Sequence, residues 1–457
     1  MELFGIHQIN LALIGLALGV FAYLFSTVTG PLAKLPGPWY SNLTEVVGKY
    51  HLLQGRKPIY IDELHEKYGT APCLKSKALV NIESVFSTIN IGLHRRYRRL
   101  LSAAMSETGL LRHKQTIDGK VRLAIQRMAE ETQRRGATDV LFWSMCMTTD
   151  IIADLSFGQS FNQLETGERN EYMRNLAAIG TAQSIRISFP ILTKLSSYLP
   201  FPIPFIRKGT EVLDRMRQSA TELLQRHYRV IEEEGEDAKP SLLSKLYHPK
   251  AGEEGLEFDE IRANAQSYIV AGSDTTSNTL TYLIWLVCKH DVVRGRLVEE
   301  LDALPVSFED GDLKKLPYLN QVIEETLRMY SSVPAGLPRA VPPEGIEFCG
   351  HWIPGGTTVS AQAYTMHRNP VVFSNPLQWE RPTQAMKDSF VPFGGGSRVC
   401  MGVHLARMEL RLAAARFFLT FRNPRASTLD GFCDEDMEPN QYFLMTPKKQ
   451  RCLIEAV

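Results

Sequence analysis

A chain of 457 residues, 44% of them hydrophobic, has ample apolar material for a large core, and by length alone it suggests two or three domains. Lys and Arg total 51 against 50 Asp and Glu, a net charge of +1, so nothing global argues for a nucleic-acid partner. Seven cysteines, at 73, 146, 288, 349, 400, 433 and 452, are scattered, odd in number and without a CxxC pair, which argues against a disulfide framework or a zinc site and fits a reducing compartment.

Ile9 to Val28 is apolar but for Asn10, Ser26 and Thr27 and carries no charge, and twenty such residues span a bilayer core as a helix. A cleaved signal peptide is the rival reading, but the run is long for one and no basic region precedes it. Lys34, Lys49, Arg56 and Lys57 follow the span while only Glu2 and His7 precede it, so the positive-inside rule puts the body in the cytosol and leaves the Asn42-Leu43-Thr44 glycosylation sequon unused. The prolines of Leu35-Pro36-Gly37-Pro38 forbid helix and stiffen the exit from the membrane. The expected division is an anchor over 1–33 and a globular body over 34–457.

After a short strand-like section around Ala78 to Ile82 comes His94-Arg95-Arg96-Tyr97-Arg98-Arg99, which reads either as a solvated basic helix or as a helix with His94 and Arg98 on one face at i and i+4. Residues 111–245 read as helices, interrupted by a proline-punctuated apolar patch from Phe189 to Phe205 (Phe201-Pro202-Ile203-Pro204-Phe205). Any one of these side chains fits a core; as a cluster they fit an interfacial membrane contact beside a substrate entrance. Glu232 to Asp237 and Pro240 read as a solvated loop.

The longest predicted helix runs from Asp259 to His290 with Ala271-Gly272-Ser273-Asp274-Thr275-Thr276 at its centre. Gly and consecutive Thr in mid-helix cost stability, about 1 kcal/mol for the glycine, so a functional reason is expected. Gly272 would permit close approach of a flat ligand; the Thr275 hydroxyl can compete for a backbone carbonyl and open a groove for water; Asp274 beside it offers an acid and an alcohol for proton delivery. Glu325 and Arg328 then stand at i and i+3 on one helical face, just before Pro334, and Arg339 opens a strand-rich stretch through Thr358. In Phe393-Gly394-Gly395-Gly396-Ser397-Arg398-Val399-Cys400-Met401-Gly402, three glycines make a tight loop and a long helical pattern begins after the cysteine. A thiol at a helix N-terminus faces unpaired N–H groups and the positive end of the dipole, so a lowered pKa is expected for Cys400.

Phe393, Gly396, Arg398, Cys400 and Gly402 fit Phe-x-x-Gly-x-Arg-x-Cys-x-Gly without a gap, and this stretch resembles the cysteine loop of the haem-thiolate cytochromes, the cytochrome P450 family. The resemblance makes Cys400 the axial ligand of a haem b iron, with Arg398 offered to a propionate, Phe393 packed beside the sulfur and Gly394 in the haem-facing loop. The other motifs follow in the family's order. His94 and Arg98 resemble its propionate-holding helix, and Ala271 to Thr276 its distal helix, where the acid–alcohol pair supplies the protons that dioxygen cleavage consumes. Glu325 and Arg328 resemble its ExxR pair, with Arg381 of Trp379-Glu380-Arg381-Pro382 as third partner, and Arg339 lies where relatives place another propionate arginine. Relatives carry several dozen residues where this chain has some twenty between Cys73 and His94, a shortfall in the expected pocket roof.

The resemblance implies a mainly α haem-thiolate fold with a small β-rich lobe behind a transmembrane helix, of the microsomal eukaryotic type, in a fungal secondary-metabolism enzyme. The implied activity is insertion of one oxygen atom from dioxygen into a lipophilic small molecule at the endoplasmic reticulum membrane. Neither a Gly-x-Gly-x-x-Gly after a strand nor a phosphate loop is present, so electrons are expected from NADPH through a separate reductase. Two alternatives stay open: a haem-thiolate isomerase or dehydratase that needs no dioxygen, and a haem-binding membrane protein without catalysis.

Overall fold

The computed structural model describes residues 2–69, 84–169, 174, 189–196, 198, 203–235, 241–243, 246, 255–374 and 382–456. The chain forms two compact units, Met1–Ala78 with Ala335–Thr365, and Leu79–Pro334 with Met366–Val457.

The first unit begins with a helix of 28 residues, Glu2–Thr29. From Leu13 on, its apolar side chains stand in the open, with Leu16 and Phe21 each 66% exposed and Val28 71% exposed. Leu13–Thr29 within it is apolar. Among the described residues only Val140–Phe157 is both long and apolar enough to cross a membrane, and it is buried within the protein. Two short helices, Val46–Leu53 and Lys57–Tyr68, follow, the second opened by Pro58 in its first turn. The strand-rich stretch forms two antiparallel pairs, Arg339–Ala340 with Thr358–Val359 and Ile346–Phe348 with His351–Ile353. The expected strand around Ala78 to Ile82 lies outside the described residues.

The second unit is helical, and local chemistry sets its helix ends. Asn90 caps Ile91–Leu101 by accepting the Leu93 amide at 3.0 Å, and Asp139 caps Val140–Phe157 by accepting the Phe142 amide. Glu257 and Glu260 form a capping box at the start of Phe258–Lys289, one residue from the expected start and end. Helix Pro204–Glu234 carries Glu232 to Glu234 in its last turn, where a loop was expected; Gly235, at φ 58°, ends it. Positions 236–240 lie outside the described residues, as do Phe201 and Pro202.

The core of this unit is the packing of Phe258–Lys289 against Val140–Phe157 and Val403–Thr420. Seventeen of the residues of Val140–Phe157 are buried, including Ser144, Thr148, Thr149 and Asp150. The Thr148 hydroxyl donates to the Ser144 carbonyl at 3.0 Å and Asp150 accepts the amides of Gln163 and Leu164 at 3.2 and 3.0 Å, whereas the Ser144 and Thr149 hydroxyls are buried without a partner among the described residues. A three-stranded sheet, with Leu453–Ala456 between Thr138–Asp139 and Pro424–Ala426, joins the C-terminus to the middle of the chain.

Candidate active site

The cysteine loop is built by backbone conformation. Gly394 and Gly396 adopt φ of 71° and 61°, the left-handed region that only glycine enters without strain, and no neighbouring atom would obstruct a side chain at Gly395 or Gly396. The loop closes through the Gly394 amide donating to the Val391 carbonyl at 3.0 Å and the Cys400 amide donating to the Phe393 carbonyl at 2.9 Å. Cys400 is exposed, and helix Val403–Thr420 begins three residues on. The Phe393 ring lies under the Arg407 guanidinium, 5.4 Å away.

The thiol differs from expectation. Desolvation by the surrounding protein pushes Cys400 above its ordinary range, with the Gly402 amide and the Arg98 charge pulling the other way. The side chain remains accessible while protein crowds it, and in such a setting the helix terminus does not outweigh the loss of solvent around a bare anion.

Two arginines bind the same neighbourhood. Arg98 donates to the Val399 carbonyl at 2.7 Å and Arg398 to the Thr88 carbonyl at 3.0 Å, so helix Ile91–Leu101 and the segment before it are tied to the cysteine loop. His94 is buried on the inner face with Tyr97 and Leu101. Arg96 is ion-paired with Glu260 at 2.6 Å, which leaves Arg95 and Arg99 as the exposed arginines of this helix.

The centre of Phe258–Lys289 divides its residues between two tasks. A Cβ at Gly272 would meet Ile152 Cγ1 at 2.9 Å, and the Thr148 hydroxyl donates to the Ser273 carbonyl at 2.8 Å. Gly272 therefore serves the close packing of two helices, where a ligand-facing role was expected. Ala271 is the exposed member, and the Thr275 hydroxyl donates back to its carbonyl at 2.7 Å. Asp274 is half-buried; its Oδ1 is shut off from solvent without a partner, and burial pushes the acid up to about 7.

Glu325 and Arg328 form a bidentate pair, Nε to Oε2 at 2.8 Å and Nη2 to Oε1 at 2.7 Å, with Arg328 fully buried. The third guanidinium nitrogen donates to the His367 carbonyl at 2.7 Å, and the group lies over the Phe373 ring. Arg381 lies outside the described residues. Arg339, in the first unit, is exposed and donates to the adjacent Pro338 carbonyl.

The sequence matches the family model described as Cytochrome P450 over residues 46–454. It is 42% identical to "Cytochrome P450 monooxygenase tazI" of Aspergillus terreus, covering 96% of each chain, and 36% identical to "Cytochrome P450 monooxygenase orf2" of Aspergillus niger, again over 96% of each. The chain belongs to the cytochrome P450 family.

The fold agrees. "Crystal structure of cytochrome P450DA heme domain" superposes with a TM-score of 0.63 at 19% identity over 79% of this chain and 77% of that one, and "Crystal structure of a Cytochrome P450 (CYP102L1)" with 0.65 over 78% and 80%. P450 enzymes are oxidoreductases that use haem b, and this chain's residues suit that group. Among the described residues no cluster of His, Cys, Asp and Glu could hold a bare metal ion, whereas one accessible thiol beside side-chain-free glycine backbone suits an iron whose other ligands come with a macrocycle.

One residue of this P450 escaped the sequence reading. Glu409, on Val403–Thr420, is 1% exposed, leaves Oε1 unpartnered and is pushed by burial up to about 8, with the Thr276 hydroxyl pulling the other way. Its signal was a lone acid, between Met408 and Leu410, in a stretch otherwise of Leu, Ala, Met and Arg.

Proposed function

We propose that this P450 is a membrane-anchored monooxygenase of fungal secondary metabolism, acting on a lipophilic small molecule with electrons from NADPH through a separate reductase. Residues 1–33 form its anchor and 34–457 its catalytic domain, on the cytosolic face of the endoplasmic reticulum. The observation that carries the reading is the packing of helix Phe258–Lys289, with Asp274 and Thr275 near its centre, against helix Val403–Thr420, which begins three residues after Cys400, so an acid–alcohol pair and a thiol belong to one packed assembly.

Cys400 would hold the haem iron through its thiolate in this proposal, and bound haem would supply the activation of dioxygen. Phe393 packs beside the loop and Gly394 keeps its backbone open, while Arg98, Arg398 and His94 offer donors to carboxylates. Asp274, with a pKa near neutrality, holds and releases a proton at Oδ1; the Thr275 hydroxyl passes it on by leaving the Ala271 carbonyl. The open apolar helix Glu2–Thr29 supports the anchor, and the exposed Phe189, Ile191, Leu195 and Tyr198 support a second contact with lipid.

The test is a comparison of metabolites between a deletion strain and its parent. The compound that accumulates in the deletion strain is then incubated with the full-length enzyme and a P450 reductase in vesicles. Product that requires NADPH and dioxygen is expected. Conversion without NADPH identifies an isomerase or dehydratase, and haem-loaded protein with no product identifies a binding protein.

A further inference from the structure

His367 is fully buried and stands at a junction of backbone bonds. Its Nδ1 lies 3.0 Å from the Arg328 carbonyl and its Nε2 2.9 Å from the Val391 amide. A carbonyl only accepts and an amide N–H only donates, so the proton sits on Nδ1, Nε2 is an acceptor, and the ring is neutral. Arg328 returns the link by donating to the His367 carbonyl at 2.7 Å, and the Arg368 guanidinium donates to the Met329 carbonyl. The segment around His367 is thus tied on three sides to the helix end that carries the buried Arg328.

Val391 is the entrance to the cysteine loop. Pro392 confines it to extended backbone, its carbonyl accepts the Gly394 amide, and Phe393 in turn accepts the Cys400 amide. The imidazole holds this entrance as Arg98 holds the exit at the Val399 carbonyl.

We infer that His367 is a positioning residue for the thiolate ligand, in which a neutral imidazole transmits the placement of the Arg328 helix to the Val391 amide and so sets the seat of the Phe393–Cys400 loop. The inference rests on Cys400 being the ligand, which Cys400→Ser tests separately. Burial pushes the imidazole down to about 4, helped by the Arg368 and Arg328 charges, in accord with a ring that stays neutral at physiological pH.

Two substitutions separate the two ring nitrogens. In His367→Asn the side-chain amide occupies the place of Nδ1 and keeps the bond to Arg328, but nothing reaches Val391. In His367→Gln the amide oxygen occupies the place of Nε2 and keeps the acceptor for Val391, but the bond to Arg328 is lost. The purified holoenzymes are compared by haem content, the Soret band of the ferrous carbonyl complex, the ferric–ferrous midpoint potential and deuterium exchange of the Val391 amide.

His367→Asn should retain haem yet show a displaced Soret band, a shifted potential and exchange at Val391 faster by about tenfold, the effect of one lost hydrogen bond. His367→Gln should keep the parental band and potential. The reverse pattern, with His367→Asn parental and His367→Gln altered, overturns the inference and leaves His367 as a support for Arg328 alone. If neither variant accumulates, the parent decides: an unprotected Val391 amide in the parent holoenzyme overturns the clamp, and a protected one upholds it. Because that exchange is read at Val391 itself, it stands whether or not Cys400 binds iron.

Discussion

Replacing Glu325 with Ala removes the carboxylate that satisfies two of the three hydrogen bonds of Arg328 and leaves only the bond from Nη1 to the His367 carbonyl. The arginine side chain is 0% exposed, so Nε and Nη2 lose their partners in a place that cannot rotate into solvent. Breaking a buried pair in this way costs about 3–5 kcal/mol. The Glu325 side chain is 26% exposed, which lets water enter the vacated space and favours the lower end, about 3 kcal/mol. Burial holds the Glu325 carboxyl above its ordinary range despite the arginine beside it, so the pair itself is not strongly favourable and the penalty comes from the orphaned cation. Against a typical domain stability of about 5–15 kcal/mol, that loss lowers the folding constant more than a hundredfold. Haem per chain and the urea midpoint of purified protein are the assay, with Glu325→Gln, which retains one acceptor, expected between the two. Parental haem content and an unchanged midpoint in Glu325→Ala would refute the reasoning.

Thr275→Ala should continue to consume NADPH while product falls and peroxide rises, because the hydroxyl that relays the proton is gone; an unchanged ratio of product to NADPH contradicts the relay. Asp274 has a folded pKa of about 7 against an ordinary value of 3.8, so the native state binds the extra proton and stability contributed by this group falls as pH rises through that window. Denaturation of parent and Asp274→Asn across the same window should show the parent losing stability relative to the variant as pH rises, and parallel curves contradict the burial of the acid. Gly272→Ala should destabilise by about 1–3 kcal/mol through overpacking, less about 1 kcal/mol of gained helix propensity, and Ile152→Val should recover part of the loss. A Gly272→Ala protein that unfolds at the parental midpoint would mean that the two helices are not in close contact there.

Much of the site was legible because its residues break local rules. Positive φ at Gly394 and Gly396 requires glycine, and an acid beside paired threonines in mid-helix is costly without a use, so both stretches stand out in the chain. The same rule misled at Gly272: a mid-helix glycine signals close approach, but the sequence does not say whether a ligand or Ile152 approaches. Glu232 to Glu234 read as a loop because charge runs are usually solvated, yet their helix persists until Gly235 stops it. Glu409 and His367 act through partners more than a hundred and more than twenty residues distant, Thr276 and Val391, and no local pattern encodes such pairings. The direction of the Cys400 shift depends on how much protein crowds the sulfur, a property of the folded chain around it.

The central claim is that Cys400 is the iron's thiolate ligand, and the ferrous carbonyl spectrum of Cys400→Ser tests it most directly. Haem-loaded parent protein should give the red-shifted Soret band that thiolate ligation produces, and Cys400→Ser should lose that band even where haem is retained. A variant that keeps the red-shifted band would contradict the assignment and move the ligand to another cysteine of this chain.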